Sequence, residues 1–162
     1  MKPTEKTNAT RALAQKKIPF KEHTHDLPAE TSGAVIAETL GQDSACVYKT
    51  LITSAPRSGQ HYVFMVPVAE ELDLKKAAKA AGEKSVEMLK AKELLPLTGY
   101  VHGGCSPIGM KKQFPTFIHL TAESQPVILC SGGRVGLQIE LSLDDLRKLV
   151  PVKSADIIAD KD

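Results

Sequence analysis

The chain has 162 residues, 42% hydrophobic, 25% charged and 4% aromatic, with no Trp and a net charge of +2. This is the composition of a single soluble domain with an aliphatic core, large enough to fold without disulfides or metals. It argues against a second full domain, a membrane span or a strongly basic nucleic-acid tail; the expectation is a cytoplasmic protein without membrane association.

In chain order, Ala9, Ala12 and Leu13 fall at helical spacing within Thr4 to Lys16, and Ile18-Pro19 stops that helix. Phe20 to Thr24 reads as a short strand entering the turn His25-Asp26-Leu27-Pro28. Thr31 or Ser32 caps a second helix that Gly41 ends. Cys46 to Ile52 and His61 to Val66 are two strands of a hairpin joined by Pro56-Arg57-Ser58-Gly59. Period-two alternation sets Lys49 on the face of Val47 and Leu51. An ammonium there either snorkels at the sheet edge or meets an anionic ligand in a cleft.

Asp73 caps a helix with a narrow face of Leu74, Ala77, Ala78 and Ala81, ended by Gly82. Lys84 to Met88 suggests a short strand and Lys90 to Leu95 a short helix. Next come Pro96-Leu97-Thr98-Gly99 and the stretch Gly103-Gly104-Cys105-Ser106-Pro107-Ile108-Gly109. Paired glycines admit close approach to the main chain, and the amides of Gly103, Gly104 and Cys105 could be turned toward an acceptor. The competing reading is an ordinary Gly/Pro loop between strands.

Strands follow at Phe117 to Leu120, Val127 to Cys130 and Gly136 to Leu141, with a second glycine pair in Ser131-Gly132-Gly133-Arg134. Ser142 and Asp145 make a capping arrangement for a helix ending at Pro151; the residues from Lys153 read as a frayed polar end. Six or seven short strands and four or five helices, without regular βαβ alternation, point to one mixed sheet with flanking helices.

Of the three cysteines, Cys46 and Cys130 border apolar strands and read as small hydrophobes, whereas Cys105 is a tempting nucleophile. No zinc-ligand spacing is present, and neither a P-loop nor a dinucleotide fingerprint occurs, so no metal or cofactor is expected. From Lys75 to Lys112 there are 8 lysines and 3 glutamates, against 13 basic and 16 acidic residues elsewhere. That segment is either a phosphate-contacting surface or a solvated helix face.

Val47-Tyr48-Lys49-Thr50-Leu51, Leu72-Asp73-Leu74-Lys75-Lys76, the Gly103 to Gly109 stretch, and Ser131-Gly132-Gly133 with Gly136 to Leu141 occur together in this order. In these pieces the chain resembles the YbaK/EbsC family, bacterial aminoacyl-tRNA deacylases related to the editing domain of prolyl-tRNA synthetases. The resemblance spans Ala9 to about Ile158. It implies a compact α/β fold with a partly open, barrel-like mixed sheet, and hydrolysis of a mischarged tRNA, Cys-tRNA(Pro) foremost, with prolyl-tRNA synthetase as a possible partner.

By the same resemblance, Lys49 would hold the terminal adenosine or its phosphate, and the Gly103 and Gly104 amides would polarise the ester carbonyl. His25, Thr50, Ser106, Ser131, Gly132, Gly133 and Gln138 would bind the substrate. In cysteinyl-specific members the substrate thiol is the nucleophile, which makes Cys105 a packing residue. Two departures bear on amino-acid preference: His25 stands near a position where some members carry Tyr, and Gln138 where some carry Asp. The alternatives from other classes are a non-catalytic tRNA- or synthetase-binding module, suggested by the lysine excess, and a metal or small-molecule binder built on His23 and His25.

Overall fold

The computed structural model describes residues 6–160. Five α-helices and eight strands are present among the described residues. Helix α1 (Asn8–Gln15) is capped by Thr7, whose hydroxyl accepts the Thr10 amide, while the Thr10 hydroxyl accepts the Thr7 amide. The expected start at Thr4 and Glu5 lies outside the described residues. Strand β1 (Lys21–Thr24) precedes α2 (Gly33–Thr39), which Ser32 caps. Strands β2 (Tyr48–Ser54) and β3 (His61–Pro67) form the expected hairpin, with Lys49 opposite Val66 and Ile52 opposite Val63.

Asp73 caps α3 (Leu74–Ala81), and Gly82 ends it in the left-handed region at φ 72°. The expected strand from Lys84 shrinks to β4 (Glu87–Met88). Helix α4 (Ala91–Thr98) runs through Pro96 instead of stopping before it. Proline interrupts only the last turn there, because Gly99, at φ 86°, closes the helix through its amide to Leu95 O. Strands β5 (Thr116–His119), β6 (Ile128–Ser131) and β7 (Leu137–Leu141) follow, then α5 (Leu143–Arg147) and β8 (Val152–Ala155).

Strand β8 corrects the expectation of a frayed end from Lys153. It pairs in parallel with β5, Thr116 opposite Val152 and His119 opposite Ala155, and the Ile157 amide donates to His119 Nδ1. Its outward residues, Lys153 among them, are polar, and Val152 and Ile157 are the apolar anchors on either side. A strand so short has little periodicity to betray it.

The larger sheet has the order β4-β2-β3-β5-β8, antiparallel around β2 and parallel beyond β3. The smaller, β1-β7-β6, is antiparallel throughout. An isolated parallel bridge, Val47 with Leu129, links them. The result is a mixed, open sheet system, not a closed barrel.

Alternation along central β3 divides the core. Met65 joins Tyr48, Ile118, Ile128, Ile139 and Leu146 between the sheets, with α1 and α5 as covers. Phe64 points to the other face, where it stacks on Phe117 and packs near Ala77 and Ala78 of α3. Full burial of a side chain such as Phe64 contributes about 2–3 kcal/mol. A third cluster of Ile52, Val63, Tyr100, Cys105, Met110 and Phe114 ties α4 and the Gly103 to Gly109 loop to the hairpin.

Candidate active site

A cleft of about 400 Å³ opens where the hairpin strand β2, the segment before α2 and both glycine loops converge. Of the predicted residues, His25, Lys49, Thr50, Gly103, Ser131 and Gln138 line it, together with Cys105. A second cavity of about 720 Å³, near Lys76, His119 and Asp156, contains none of them. The lysine and Gly103 therefore face one space, as a joint site requires.

Lys49 is half-buried on β2 and forms no ion pair with any described residue, although Glu30 and Glu71 line the same cleft. Beside it the Thr50 hydroxyl is buried without a hydrogen-bond partner among the described residues. On the facing sheet, Gln138 is 8% exposed and its Oε1 accepts the Gln42 side-chain amide at 2.6 Å. Gln42, which sequence reasoning did not single out, thus fixes the orientation of Gln138 from beyond the end of α2. His25 accepts the Leu27 amide at Nδ1, whereas His23 meets Glu140 at 3.0 Å. The two histidines therefore serve different neighbours instead of sharing a ligand.

The glycine loops divide into lining and support. Gly103 is exposed, at φ 83°, and a Cβ there would lie 2.8 Å from Ala29 O. The Gly103 and Cys105 amides have no acceptor among the described residues, but the Gly104 amide already donates to Val101 O at 2.9 Å. Gly104 is buried, and its added Cβ would meet the Arg134 Cα and Val135 N at 2.9 Å. This glycine lets the two loops touch backbone to backbone.

Ser106, Gly132 and Gly133 also lie behind the cleft surface. The Ser106 hydroxyl accepts the Ile108 amide, and the residue is fully buried. The Gly132 amide donates to Leu137 O, while its carbonyl accepts the Thr7 hydroxyl at 2.5 Å. Ser131 Oγ accepts the Gly133 amide at 3.2 Å and still borders the cleft.

Tyr100 is the other residue that sequence reasoning missed. Buried at the junction, it donates its hydroxyl to Ile108 O at 2.5 Å and accepts the Ala9 amide. Gly109 and Gly133 both pack against its ring or hydroxyl. An aromatic just before a glycine loop, in a chain this poor in aromatics, was the available signal.

Cys105 lines the cleft but is only 8% exposed, and burial pushes its thiol up to about 12. Cys130 is likewise pushed to about 12 by burial. Neither supplies a thiolate at neutral pH. Backbone amides, one ammonium and small hydroxyl and amide side chains line the cleft beside the His25 and His102 imidazoles and the Glu30 and Glu71 carboxylates, a set that can bind and polarise an ester and in which neither cysteine is an activated nucleophile.

Solved structures share this architecture. A crystal structure described as a proposed trans-editing enzyme for prolyl-tRNA synthetase aligns at TM-score 0.81 and 24% identity, over 97% of this chain and 100% of that one. A hypothetical protein of known structure aligns at TM-score 0.83 and 23% identity, over 94% and 99%. The fold is therefore that of the editing domains. Residues 28–149 match the family described as the aminoacyl-tRNA editing domain, and the chain belongs to that family. Similarity is greater to EbsC of Enterococcus faecalis, whose name proposes a Cys-tRNA(Pro)/Cys-tRNA(Cys) deacylase: 44% identity over 157 residues, 96% of this chain and 95% of that protein.

Proposed function

We propose that this chain, read as one domain over residues 1–162, is a cytoplasmic trans-editing hydrolase that removes the amino acid from mischarged tRNA, with Cys-tRNA(Pro) as its leading substrate. The observation that carries the reading is the convergence on one cleft of the Lys49 ammonium and the Gly103 amide, neither of which has a partner among the described residues, in a chain of the editing-domain family. The name of the E. faecalis relative supports the cysteinyl preference.

In this reading Lys49 binds the terminal adenosine or its phosphate, which supplies the missing counter-charge. The Gly103 amide, with that of Cys105 beside it, donates to the carbonyl oxygen as charge develops there. Gly104 acts through its position, since its own amide is engaged by Val101 O. Thr50, Ser131, Gln138 and His25 shape the walls around the aminoacyl group, and Ser106, Gly132 and Gly133 hold those walls from behind.

The substrate thiol attacks its own ester carbonyl. A C–S bond forms, the C–O bond to the ribose breaks, the thiol proton leaves with the ribose oxygen, and water then opens the resulting cyclic thioester to give free cysteine. Positioning replaces an enzymatic nucleophile. Prolyl-tRNA synthetase is a partner on which the protein could dock while acting on tRNA(Pro).

The test is deacylation of Cys-tRNA(Pro) and Ala-tRNA(Pro) by the purified protein. Hydrolysis of the cysteinyl substrate that falls at least about 10²-fold in Lys49→Ala supports the proposal. No hydrolysis of either above the Lys49→Ala control overturns it and leaves the binding-module reading, for which tRNA association without turnover would be the signature.

A further inference from the structure

The charge along this surface is segregated around the cleft. Between Glu22 and Tyr48 the chain carries Glu22, Asp26, Glu30, Glu38 and Asp43 and no Lys or Arg. This segment forms one cleft wall, from His25 to Ile36, and Glu71 adds another carboxylate to the lining. From Lys90 to Lys112 the balance reverses, with Lys90, Lys92, Lys111 and Lys112 against Glu93 alone. That segment forms another wall, through Leu94, His102, Gly103 and Cys105.

The lysines cluster around α4. Lys90 is its N-cap and Lys92 lies in its first turn, both exposed. Lys111 packs its stem against Gly99 and reaches Pro96 O at 3.5 Å, over the other end of the helix. Lys112 lies 5.9 Å above the Phe114 ring. None of the four forms an ion pair with a described residue. Leu95 and Val101, 52% and 48% exposed, stand on the same rim.

The lysines of α3 behave differently. Lys76 is held by Asp156 and Asp160 at the second cavity, so the basic segment of the sequence is two surfaces, and only one borders the cleft.

We propose that the duplex arm of the bound tRNA leaves the cleft across the α4 rim, its phosphates over Lys90, Lys92 and Lys111, and is kept off the α2 wall by the carboxylates there. The inference rests on the tRNA reading above, because it assumes that the 3′ end occupies the cleft. Exposed like charges repel a phosphate backbone, and lysines that hold no ion pair with a described residue give up none of those when they meet one.

The experiment compares wild type with the triple variant Lys90→Ser, Lys92→Ser, Lys111→Ser and with Lys75→Ser, Lys79→Ser on α3. Binding of uncharged tRNA(Pro) is measured by fluorescence anisotropy from about 50 to 200 mM salt. KM is measured for Cys-tRNA(Pro) and for the short ester 3′-cysteinyl adenosine. The triple variant should bind tRNA about tenfold more weakly near 100 mM salt, with a log–log salt slope shallower by about 2 to 3.

KM for Cys-tRNA(Pro) should rise in step, while KM for the short ester and all values for the α3 variant stay within about twofold, since surface lysines reach only the duplex. Unchanged tRNA affinity and slope in the triple variant, equal weakening toward the short ester, or the same loss in the α3 variant would each overturn the α4 route. Failure of the wild type to hydrolyse either ester refutes the enzymatic reading instead, and the anisotropy series still decides where tRNA lies.

Discussion

Gly104→Ala separates the two explanations of the glycine loop. Alanine retains the amide, which is bonded to Val101 O in any case, so the substitution adds only one carbon. That carbon would sit 2.9 Å from Arg134 Cα and C and from Val135 N, all backbone atoms, where ordinary contact begins near 3.4 Å. The loops must part by about half an ångström or more, and no side chain can swing away to absorb it. Gly104 is outside the left-handed region, so φ strain adds nothing.

Overpacking of this kind costs about 1–3 kcal/mol, partly offset by about 0.4–1 kcal/mol from the stiffer unfolded chain. Gly41→Ala is the comparison: nothing lies within 4 Å of its added Cβ, and its φ of 68° brings about 1–2 kcal/mol of backbone strain without overpacking. Urea unfolding should show both variants destabilised, with activity lost only in Gly104→Ala. Its kcat on Cys-tRNA(Pro) should fall severalfold or more, because both displaced loops border the cleft. A Gly104→Ala protein within about 0.5 kcal/mol of wild type and with unchanged kcat would refute the close-approach argument.

Tyr100→Phe removes the hydroxyl that joins Ile108 O to the Ala9 amide; urea unfolding should show a loss of about 1–3 kcal/mol, with lower kcat/KM on Cys-tRNA(Pro). Cys105→Ala should remain active within a few-fold, since a thiol pushed up to about 12 by burial carries no nucleophilic charge; a loss beyond about 10² in kcat would restore Cys105 to the chemistry. Burial holds the His119 imidazole below its ordinary 6.5, against the opposing pull of Asp156 and Glu70. The unfolded chain then protonates first, so this contribution is complete above about 6.5 and is lost as pH falls toward the folded value. Urea midpoints between pH 8 and pH 5 should show that decline, and His119→Gln should flatten it.

The sequence was most legible where one residue type has one structural use. Asp73 and Gly82 bracket α3, and the Ser32 and Ser142 hydroxyls each accept an amide of the first helical turn. Alternation identified the β2–β3 hairpin but left Lys49 between a sheet edge and a cleft, which only the folded chain decides in favour of the cleft. It could not identify β8, four residues long and stabilised by its parallel partner instead of by pattern. Within the site, the glycines were visible but their division of labour was not. Whether an amide is free depends on the carbonyl that folding brings to it: Val101 for Gly104, Leu137 for Gly132, and no described acceptor for Gly103. Tyr100 and Gln42 escaped notice because their partners are distant in sequence.

The contrast between two lysines shows why Lys49 suits a charged ligand. Lys76 donates to Asp156, Ile158 O and Asp160, and these hydrogen bonds raise its affinity for the proton. Binding a phosphate there would first require breaking that set, so α3 is a poor anion site despite its charge. Lys49 is half-buried in the cleft and holds no carboxylate among the described residues in exchange, though two acidic residues line the same space. A partly desolvated ammonium gains more from an arriving anion than an exposed one does, because the cost of burial has already been met in folding and the attraction acts through less water. The amides of Gly103 and Cys105 stand in the same condition, as donors without an acceptor among the described residues. An ammonium and amide donors that have no acceptor among the described residues are what a site needs when the reacting thiol comes with the substrate.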